Sequence, residues 1–313
     1  MGHIGWVSMM FVKDVLPSAP ALGYCEFFYR ANGADVGFAP GDRPDIETRK
    51  RLRLRNMAQL VTLEGIDGGF SPTHWQKSLY PRSVQNRIAV VHEGVDTKLF
   101  YPDRHATIQL PDGRTLKAGE SRVITFVARD LEPYRGFPQA LEAAAKVVRQ
   151  NDDAIFVFVG GDGVSYGTPP PGGGSWREHL VKNLDLPPDR IVFPGTIPHA
   201  QLRKLYQIST AHIYLTYPFV LSWSVVEAMA CGALIIGSDT PPVREVIRSG
   251  QNGLLVPFFD SDVLAEVIMN VLRDPDACLQ MRAAARRTVE NRFRLSDCLQ
   301  QQKTLIDAVL NGR

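Results

Sequence analysis

Two short, unbroken apolar runs separated by one amphipathic segment constrain this chain more than anything else in it. Arg122-Val-Ile-Thr-Phe-Val-Ala128 and Ala154-Ile-Phe-Val-Phe-Val159 are rich in β-branched and aromatic residues, with no polar alternation. A strand that is apolar on both faces is covered on both faces, which is the condition of a parallel sheet. Between the runs, after a turn over residues 129–136, Phe137, Leu141, Ala144, Ala145 and Val148 recur at helical spacing. Strand, helix and second buried strand make a right-handed βαβ unit.

The pattern repeats downstream. Residues 190–193, 211–215, 233–237 and 253–256 read as strands; residues 199–208, 224–230 and 243–247 read as helices, and the C-terminus is helical. Such alternation predicts a doubly wound α/β domain over residues 121–291. Ligands of such sheets sit beyond the carboxyl ends of the strands, so the loops after Ala128, Val159 and Leu215 are the places to search. The first third, 1–103, is sparser: a buried strand at 23–29, a helix at 49–63 and a strand at 88–91. That is too little for a full doubly wound domain. Asp112-Gly113 between apolar flanks predicts a hairpin inside a linker over 104–120. Residues 168–175, Thr-Pro-Pro-Pro-Gly-Gly-Gly-Ser, read as a mobile loop. The last segment, 292–313, is expected as a helix that packs back on the N-terminal part.

Composition narrows the class. A chain of 313 residues with 44% hydrophobic and 22% charged residues is globular and long enough for two domains. A net charge of +2 gives no electrostatic case for nucleic acid. The four cysteines, Cys25, Cys231, Cys278 and Cys298, lie far apart without metal-ligand spacing and read as reduced, buried thiols of a cytoplasmic protein. The N-terminal apolar run has no basic region before it and reads as folded structure, not as a signal peptide. No apolar stretch is long enough to span a membrane.

Several residues carry possible chemistry, each with a plainer alternative. Arg129 and Arg135, at the end of a strand beside Gly136 at a helix start, form a diphosphate site in one reading, since guanidinium forks and helix N–H groups both suit phosphate. In the other they are surface arginines paired with Asp130 and Glu132. Glu227, in an otherwise apolar helix, either accepts hydrogen bonds from paired sugar hydroxyls or completes a capping box with Ser224. The glycines of residues 160–163, Gly-Gly-Asp-Gly, lack the spacing of a nicotinamide loop, and that reading is rejected. The basic run 49–55 is either a solvated helix face or a contact with an anionic membrane surface. His74, Trp75 and His92 read as packing residues.

In this order the pieces resemble the family-4 glycosyltransferases, retaining enzymes of the GT-B fold, particularly bacterial members that build surface polysaccharides. Residues 90–96, Val-Val-His-Glu-Gly-Val-Asp, look like that family's interdomain Asn-Gly-Val-Asp segment. Residues 128–136 are similar to its Gly-Arg…Lys-Gly stretch, and Val226-Glu-Ala-Met-Ala-Cys-Gly232 to its Leu-Glu-Ala-Met-Ala-x-Gly core. Gly237-Ser-Asp239, Arg244-Glu-Val-Ile247 and Gly250-Gln-Asn-Gly-Leu-Leu-Val256 fit the elements after it, so the likeness runs from about Ser71 to the C-terminus. The resemblance implies a UDP- or GDP-sugar donor on the C-terminal domain and a carbohydrate or lipid-linked acceptor, with contact at the inner membrane surface. Arg129 and Arg135 would neutralise the leaving diphosphate and Glu227 would hold the ribose. Gly160, Gly161, Ser222, Trp223 and Ser224 would line the donor. No metal or other cofactor is expected, because the guanidinium groups supply the positive charge.

Two departures stand against this pattern. The family has a glutamate eight residues before Glu227 that touches the donor sugar; here that residue is Phe219, within Tyr217-Pro-Phe-Val-Leu-Ser-Trp223. The resemblance also implies about 100 residues of N-terminal βα units before the part read here, so the first domain is expected to be either truncated or completed by a partner. These departures leave room for a binding-only relative that assists a transferase. An epimerase on the same fold would need acidic and His residues facing the sugar, which Phe219 opposes.

Overall fold

The computed structural model describes residues 1–5 and 9–312; Trp6, Val7 and Ser8 of the N-terminal apolar run, and Arg313, lie outside the described residues. The chain forms two compact units. The first is Met1–Gly94 with Pro218–Val220 and Phe293–Arg313; the second is Val95–Tyr217 with Leu221–Arg292.

The first unit carries four parallel strands, β1 (Gly2–His3), β2 (Leu22–Tyr24), β3 (Gly68–Ser71) and β4 (Ile88–Val90), in spatial order β1-β2-β3-β4. Its helices are α1 (Val12–Val15), α2 (Ile46–Gly65), α3 (His74–Ser78) and α4 (Arg82–Gln85). The strand expected over 23–29 stops at Tyr24, although the residues after it are mostly buried. Side-chain amides replace a neighbouring strand there. Asn56 both accepts from the Tyr29 N–H at 3.0 Å and donates to the Tyr29 carbonyl at 2.8 Å. Gln59 donates to the Phe27 carbonyl at 3.0 Å and Gln76 to that of Glu26 at 2.6 Å. The buried backbone is satisfied without a ladder. The C-terminal helix, Leu295–Leu310, belongs to this unit, with Leu305 and Val309 against Leu22, Phe70 and Val91. Gly94, at φ +86°, leaves no room for a side chain: a Cβ there would lie 2.7 Å from Leu295 Cα. His92 is buried, accepts the Gly94 N–H at 2.9 Å and meets Phe293 edge-on, while Trp75 packs on Phe27; His74 is exposed.

The second unit opens with the hairpin β5 (Thr107–Gln109) and β6 (Thr115–Lys117), turned at Gly113 with φ +87°. It is not a linker. Ile108, Leu110 and Leu116 are buried in one cluster with Val123, Val157, Val192 and Leu205, so apolar burial ties the hairpin to the sheet. The sheet is parallel throughout: β7 (Arg122–Asp130), β8 (Ala154–Gly161), β9 (Ile191–Gly195), β10 (Ala211–Tyr214), β11 (Leu234–Ser238) and β12 (Leu254–Val256), in order β12-β11-β10-β7-β8-β9. Helices α5 (Phe137–Val148), α6 (Trp176–Val181), α7 (His199–Ile208), α8 (Trp223–Ala230), α9 (Pro241–Arg244), α10 (Ser261–Arg273) and α11 (Leu279–Arg292) connect and cover these strands.

The chain winds outward from β7 through β8 to β9, then returns to β10 on the other side of β7. The strand order thus reverses between β7 and β10, and such a switch point leaves a crevice beyond the carboxyl ends of those two strands. One buried cross-strand pair closes the sheet beneath it. His212 of β10 faces Thr125 of β7 in register, and its Nδ1 lies 2.9 Å from the Thr125 hydroxyl. Ser209 Oγ gives its proton to the Ala211 carbonyl at 2.8 Å, so Thr125 must donate to Ser209 and His212 Nδ1–H to Thr125. Burial pushes the His212 pKa down to about 3, which keeps the ring neutral. All four cysteines are free and buried, and no helix among the described residues is long and apolar enough to cross a membrane.

Candidate functional site

At the switch point lies a pocket of about 90 Å³ whose lining includes Arg129, Arg135, Tyr166, Tyr214 and Ser222. The backbone explains why both guanidinium groups reach it. Strand β7 runs two residues further than the apolar pattern suggests, through a register shift between Val127 and Asp130, so Arg129 sits at a strand end, not in a turn. A single 3-10 turn, Pro133–Arg135, then hands the chain to α5 at Gly136. Gly136 has φ +72°, and a Cβ on it would lie 2.4 Å from Leu215 Cβ; only glycine fits this turn.

Arg135 is buried. Its Nη1 donates to Thr216 Oγ1 at 2.8 Å, it bonds the Tyr214 hydroxyl, and its guanidinium lies 5.1 Å from the centre of the Tyr166 ring. The Tyr214 hydroxyl in turn accepts the Ser222 N–H at 2.7 Å, which pins the start of α8 to the end of β10. Burial raises the Tyr214 phenol above its ordinary pKa, with Arg135 acting in the opposite direction. Arg129 is exposed, and no ion pair or side-chain hydrogen bond of it occurs among the described residues.

The carboxylates of Asp130 and Glu132 turn elsewhere. Asp130 accepts the Gly163 N–H at 3.1 Å and the Ser165 hydroxyl. Glu132 is fully buried and accepts backbone N–H groups of Ser165, Tyr166 and Gly167 at 3.3, 3.1 and 2.9 Å. These two acids therefore anchor the loop after β8 and hold Tyr166 beside Arg135. Sequence reasoning had offered them only as salt-bridge partners. The Pro-Gly segment that follows ends in a helix the sequence did not reveal: Ser175 and Glu178 form a capping box at the start of α6, and Trp176 Nε1 donates to the Thr168 carbonyl at 2.8 Å.

Glu227 is also buried, but its local setting corrects the capping reading. The N-cap of α8 is Ser222, whose hydroxyl accepts the Ser224 N–H at 3.3 Å; Ser224 is the second helical residue and Glu227 the fifth. Glu227 is thus beyond the first turn and outside any capping box. Its Oε1 lies 3.2 Å from Nε2 of His199, the first residue of α7, which the sequence did not single out. Burial raises the Glu227 pKa, with the His199 contact working against it. Oε2 has no partner among the described residues. Ser224 is buried and bonds Ser222, whereas Trp223 is exposed. Gly160 and Gly161 do not line the pocket. Gly160 is where β8 passes too close to β7 for a side chain, 2.9 Å from the Ala128 carbonyl, and the Gly161 carbonyl accepts the Leu131 N–H at 2.9 Å. Phe219 lies in the segment grouped with the first unit and packs on Phe27, with ring centres 4.5 Å apart. No group of three or more metal-ligating side chains occurs among the described residues.

A doubly wound sheet with two arginines converging at its switch point is the setting in which family membership can be judged. The model of the "Glycosyl transferases group 1" family matches residues 112–288, more than half of the chain, and that of the "Glycosyl transferase family 4 group" matches residues 1–100. The chain belongs to the group 1 glycosyltransferases. Among similar proteins, N-acetyl-alpha-D-glucosaminyl L-malate synthase of Bacillus anthracis is 25% identical over 223 residues, covering 71% of this chain and 54% of that protein. D-inositol 3-phosphate glycosyltransferase 1 of Catenulispora acidiphila is 28% identical over 207 residues, 64% of this chain and 46% of that one. The chain thus spans about half the length of those relatives. Its fold is that of GT-B structures. Sucrose-phosphate synthase from Thermosynechococcus elongatus matches with a TM-score of 0.73 at 20% identity, over 100% of this chain and 73% of that one. HepE from Anabaena, in complex with UDP-glucose, matches with a TM-score of 0.68 at 15% identity, over 96% and 75%.

Proposed function

We propose that this glycosyltransferase moves a sugar from a UDP- or GDP-sugar to a hydroxyl of a carbohydrate or lipid-linked acceptor, with retention of the anomeric configuration and without a metal. The observation that carries this reading is the convergence of Arg129 and Arg135 on one small pocket at the switch point. The pocket has the volume of about three water molecules, which suits a phosphoryl group and leaves the nucleoside outside it. HepE, a structural neighbour, holds UDP-glucose, and a diphosphate is the part of such a donor that a pair of guanidinium groups recognises.

In the proposed reaction the bond from the anomeric carbon to the β-phosphate oxygen breaks, and the acceptor oxygen bonds the same face of that carbon. The acceptor proton passes to the departing phosphate oxygen. Arg129 and Arg135 stabilise the negative charge that develops there, in a site where Arg135 is already held by Thr216 and Tyr214. Glu227 would receive the ribose hydroxyls on Oε2 while Oε1 keeps His199. Two such donors would offset the unfavourable burial of its charge. Positioning and electrostatics are then the protein's whole contribution.

A second reading is favoured by Phe219. Where the resemblance calls for a glutamate on the donor sugar, this chain has a ring packed on Phe27, as expected of a subunit that binds a nucleotide sugar but leaves turnover to a partner. Incubation with UDP-glucose and with GDP-mannose, followed by NMR of any product, separates the two. Transfer with an α-linkage supports the first reading; nucleotide binding with neither transfer nor donor hydrolysis supports the second. Failure to bind UDP and GDP refutes both.

On the acceptor side, α2 favours a lipid-linked substrate of surface-polysaccharide synthesis, met at the cytoplasmic face of the membrane. Leu54, Met57 and Val61 are exposed along this helix, among Arg49, Lys50, Arg51, Arg53 and Arg55. A cavity of about 740 Å³ beside it is lined by Phe28, Arg53, Met57 and Leu60. Exposed apolar side chains ringed by cations match an anionic bilayer surface. Co-sedimentation with phosphatidylglycerol vesicles but not with phosphatidylcholine vesicles, abolished by Leu54→Glu with Met57→Glu, is the expected result. Binding that survives both substitutions counts against it.

A further inference from the structure

The sheet of the second unit has another cavity, at the opposite end of its strands. It measures about 620 Å³ and is lined by Arg122, Thr210 and Gly232, which begin β7 or lie one or two residues ahead of β10 and β11. Arg122 and Arg129 lie on the same strand, and a rise of about 3.3 Å per residue puts their Cα atoms roughly 23 Å apart. This cavity is therefore separate from the pocket that holds Arg129 and Arg135.

Its charges are lopsided. Arg104, Arg122, Arg282, Arg286 and Arg287 line it, against only Asp103 and Asp276. Arg286 is fully committed, to Glu290 at 2.7 Å and to the carbonyls of Phe100, Ala230 and Thr97. Asp103 accepts the His105 N–H at 2.9 Å. In contrast, the side chains of Arg104, Arg122 and Arg287 have no hydrogen bond or ion pair among the described residues. Arg282 donates to the Thr210 carbonyl at 2.6 Å, yet its Nε is buried without a partner. Burial lowers the Arg282 pKa; Cys278 and Asp276 oppose the shift and Arg122 adds to it. Gathering five cations around a cavity with only two carboxylates is unfavourable unless something anionic completes it.

We propose that this cavity is an anion site for the phosphate group of an organic molecule, held by Arg104, Arg122, Arg282 and Arg287. Guanidinium forks match phosphate oxygens in pairs, and the volume falls in the range of small-molecule sites, about 300–1,000 Å³. Ile208, Leu279 and Pro275 add apolar wall for a carbon body. A soluble phosphorylated metabolite and a phospholipid headgroup share this chemistry.

The test uses the full chain without added nucleotide, as wild type and in parallel as Arg135→Ala, so that the result is independent of what the other pocket binds. Calorimetric titration with 1-naphthyl phosphate should show binding to wild type and to Arg135→Ala alike, weakened at least about tenfold by Arg122→Ala or by Arg287→Ala. If instead only vesicles containing phosphatidic acid bind, and Arg122→Ala removes that binding, the headgroup is the source. Arg122→Ala without ligand should melt no lower than wild type, because it removes a like charge and neither a side-chain hydrogen bond nor an ion pair. Equal affinity in wild type and both variants, no binding in either arm, or a lowered melting temperature of the unliganded variant overturns the proposal.

Discussion

Replacing Arg135 with alanine should weaken UDP and pyrophosphate about 10- to 150-fold while leaving uridine within about threefold. The range follows from the setting of the guanidinium. It is buried beside a small pocket, so a phosphate oxygen reaching it makes a charge-assisted hydrogen bond partly shielded from water, worth about 1.5–3 kcal/mol. An exposed pair would contribute less than about 1 kcal/mol. The fold should tolerate the change, because Thr216 Oγ1 keeps its own bond to the Tyr217 carbonyl at 2.9 Å after Arg135 is gone. Isothermal titration of UDP, pyrophosphate and uridine on the same preparations, with thermal melting as a folding control, gives the comparison directly. Arg135→Lys should fall between wild type and alanine, since it restores the charge but not the planar fork. Two results would refute the reasoning: UDP affinity that does not change, or a loss equally large for uridine, which would mean that the substitution disturbs the whole domain and not a phosphate contact.

Glu227→Ala should weaken uridine and UDP by similar factors of about tenfold and leave pyrophosphate unaffected, as for a group that holds ribose; titration with the three ligands checks it. Gly136→Ala should destabilise the second unit by about 2–5 kcal/mol, combining a left-handed backbone with a Cβ 2.4 Å from Leu215, and the shift in urea midpoint measures it. His212 should make stability fall in acid. Its pKa is near 6.5 when unfolded and about 3 when folded, so the unfolded state binds the extra proton and the stabilisation present above pH 6.5 is lost as pH falls toward 3. Between pH 7 and pH 5 the loss is about 2 kcal/mol. Denaturant titrations of His212→Leu should lack that component, and an unchanged pH dependence would show that the ring is not buried neutral.

Long-run apolar pattern was legible wherever burial was two-sided. The strands around Val123, Phe156, Ile213 and Ile235 and the helix at 199–208 stand out because every residue of such a strand, or one full face of such a helix, must be apolar. The first unit was not legible in the same way. Strand β3 is Gly-Gly-Phe-Ser and β1 is two residues long, too short to carry a period. The stretch after Tyr24 reads as a strand by composition, and only the distant amides of Asn56, Gln59 and Gln76 make it irregular. The hairpin was visible from Asp112-Gly113, but its place in a core required knowing that Ile108 and Leu116 face Val157 and Leu205.

The local sequence by itself determined the doubly wound domain, the glycine turn at Gly136 and the arginines on either side of it, because these depend on side-chain periodicity and on backbone conformations that few residues adopt. Tertiary structure alone decided what those side chains do. It paired Glu227 with His199, assigned Asp130 and Glu132 to the loop that bears Tyr166, buried Phe219 against Phe27, and brought Arg104, Arg122, Arg282 and Arg287 around one cavity. Each of these is a contact between residues far apart in the chain, set by strand order and packing, and a linear pattern holds no record of either.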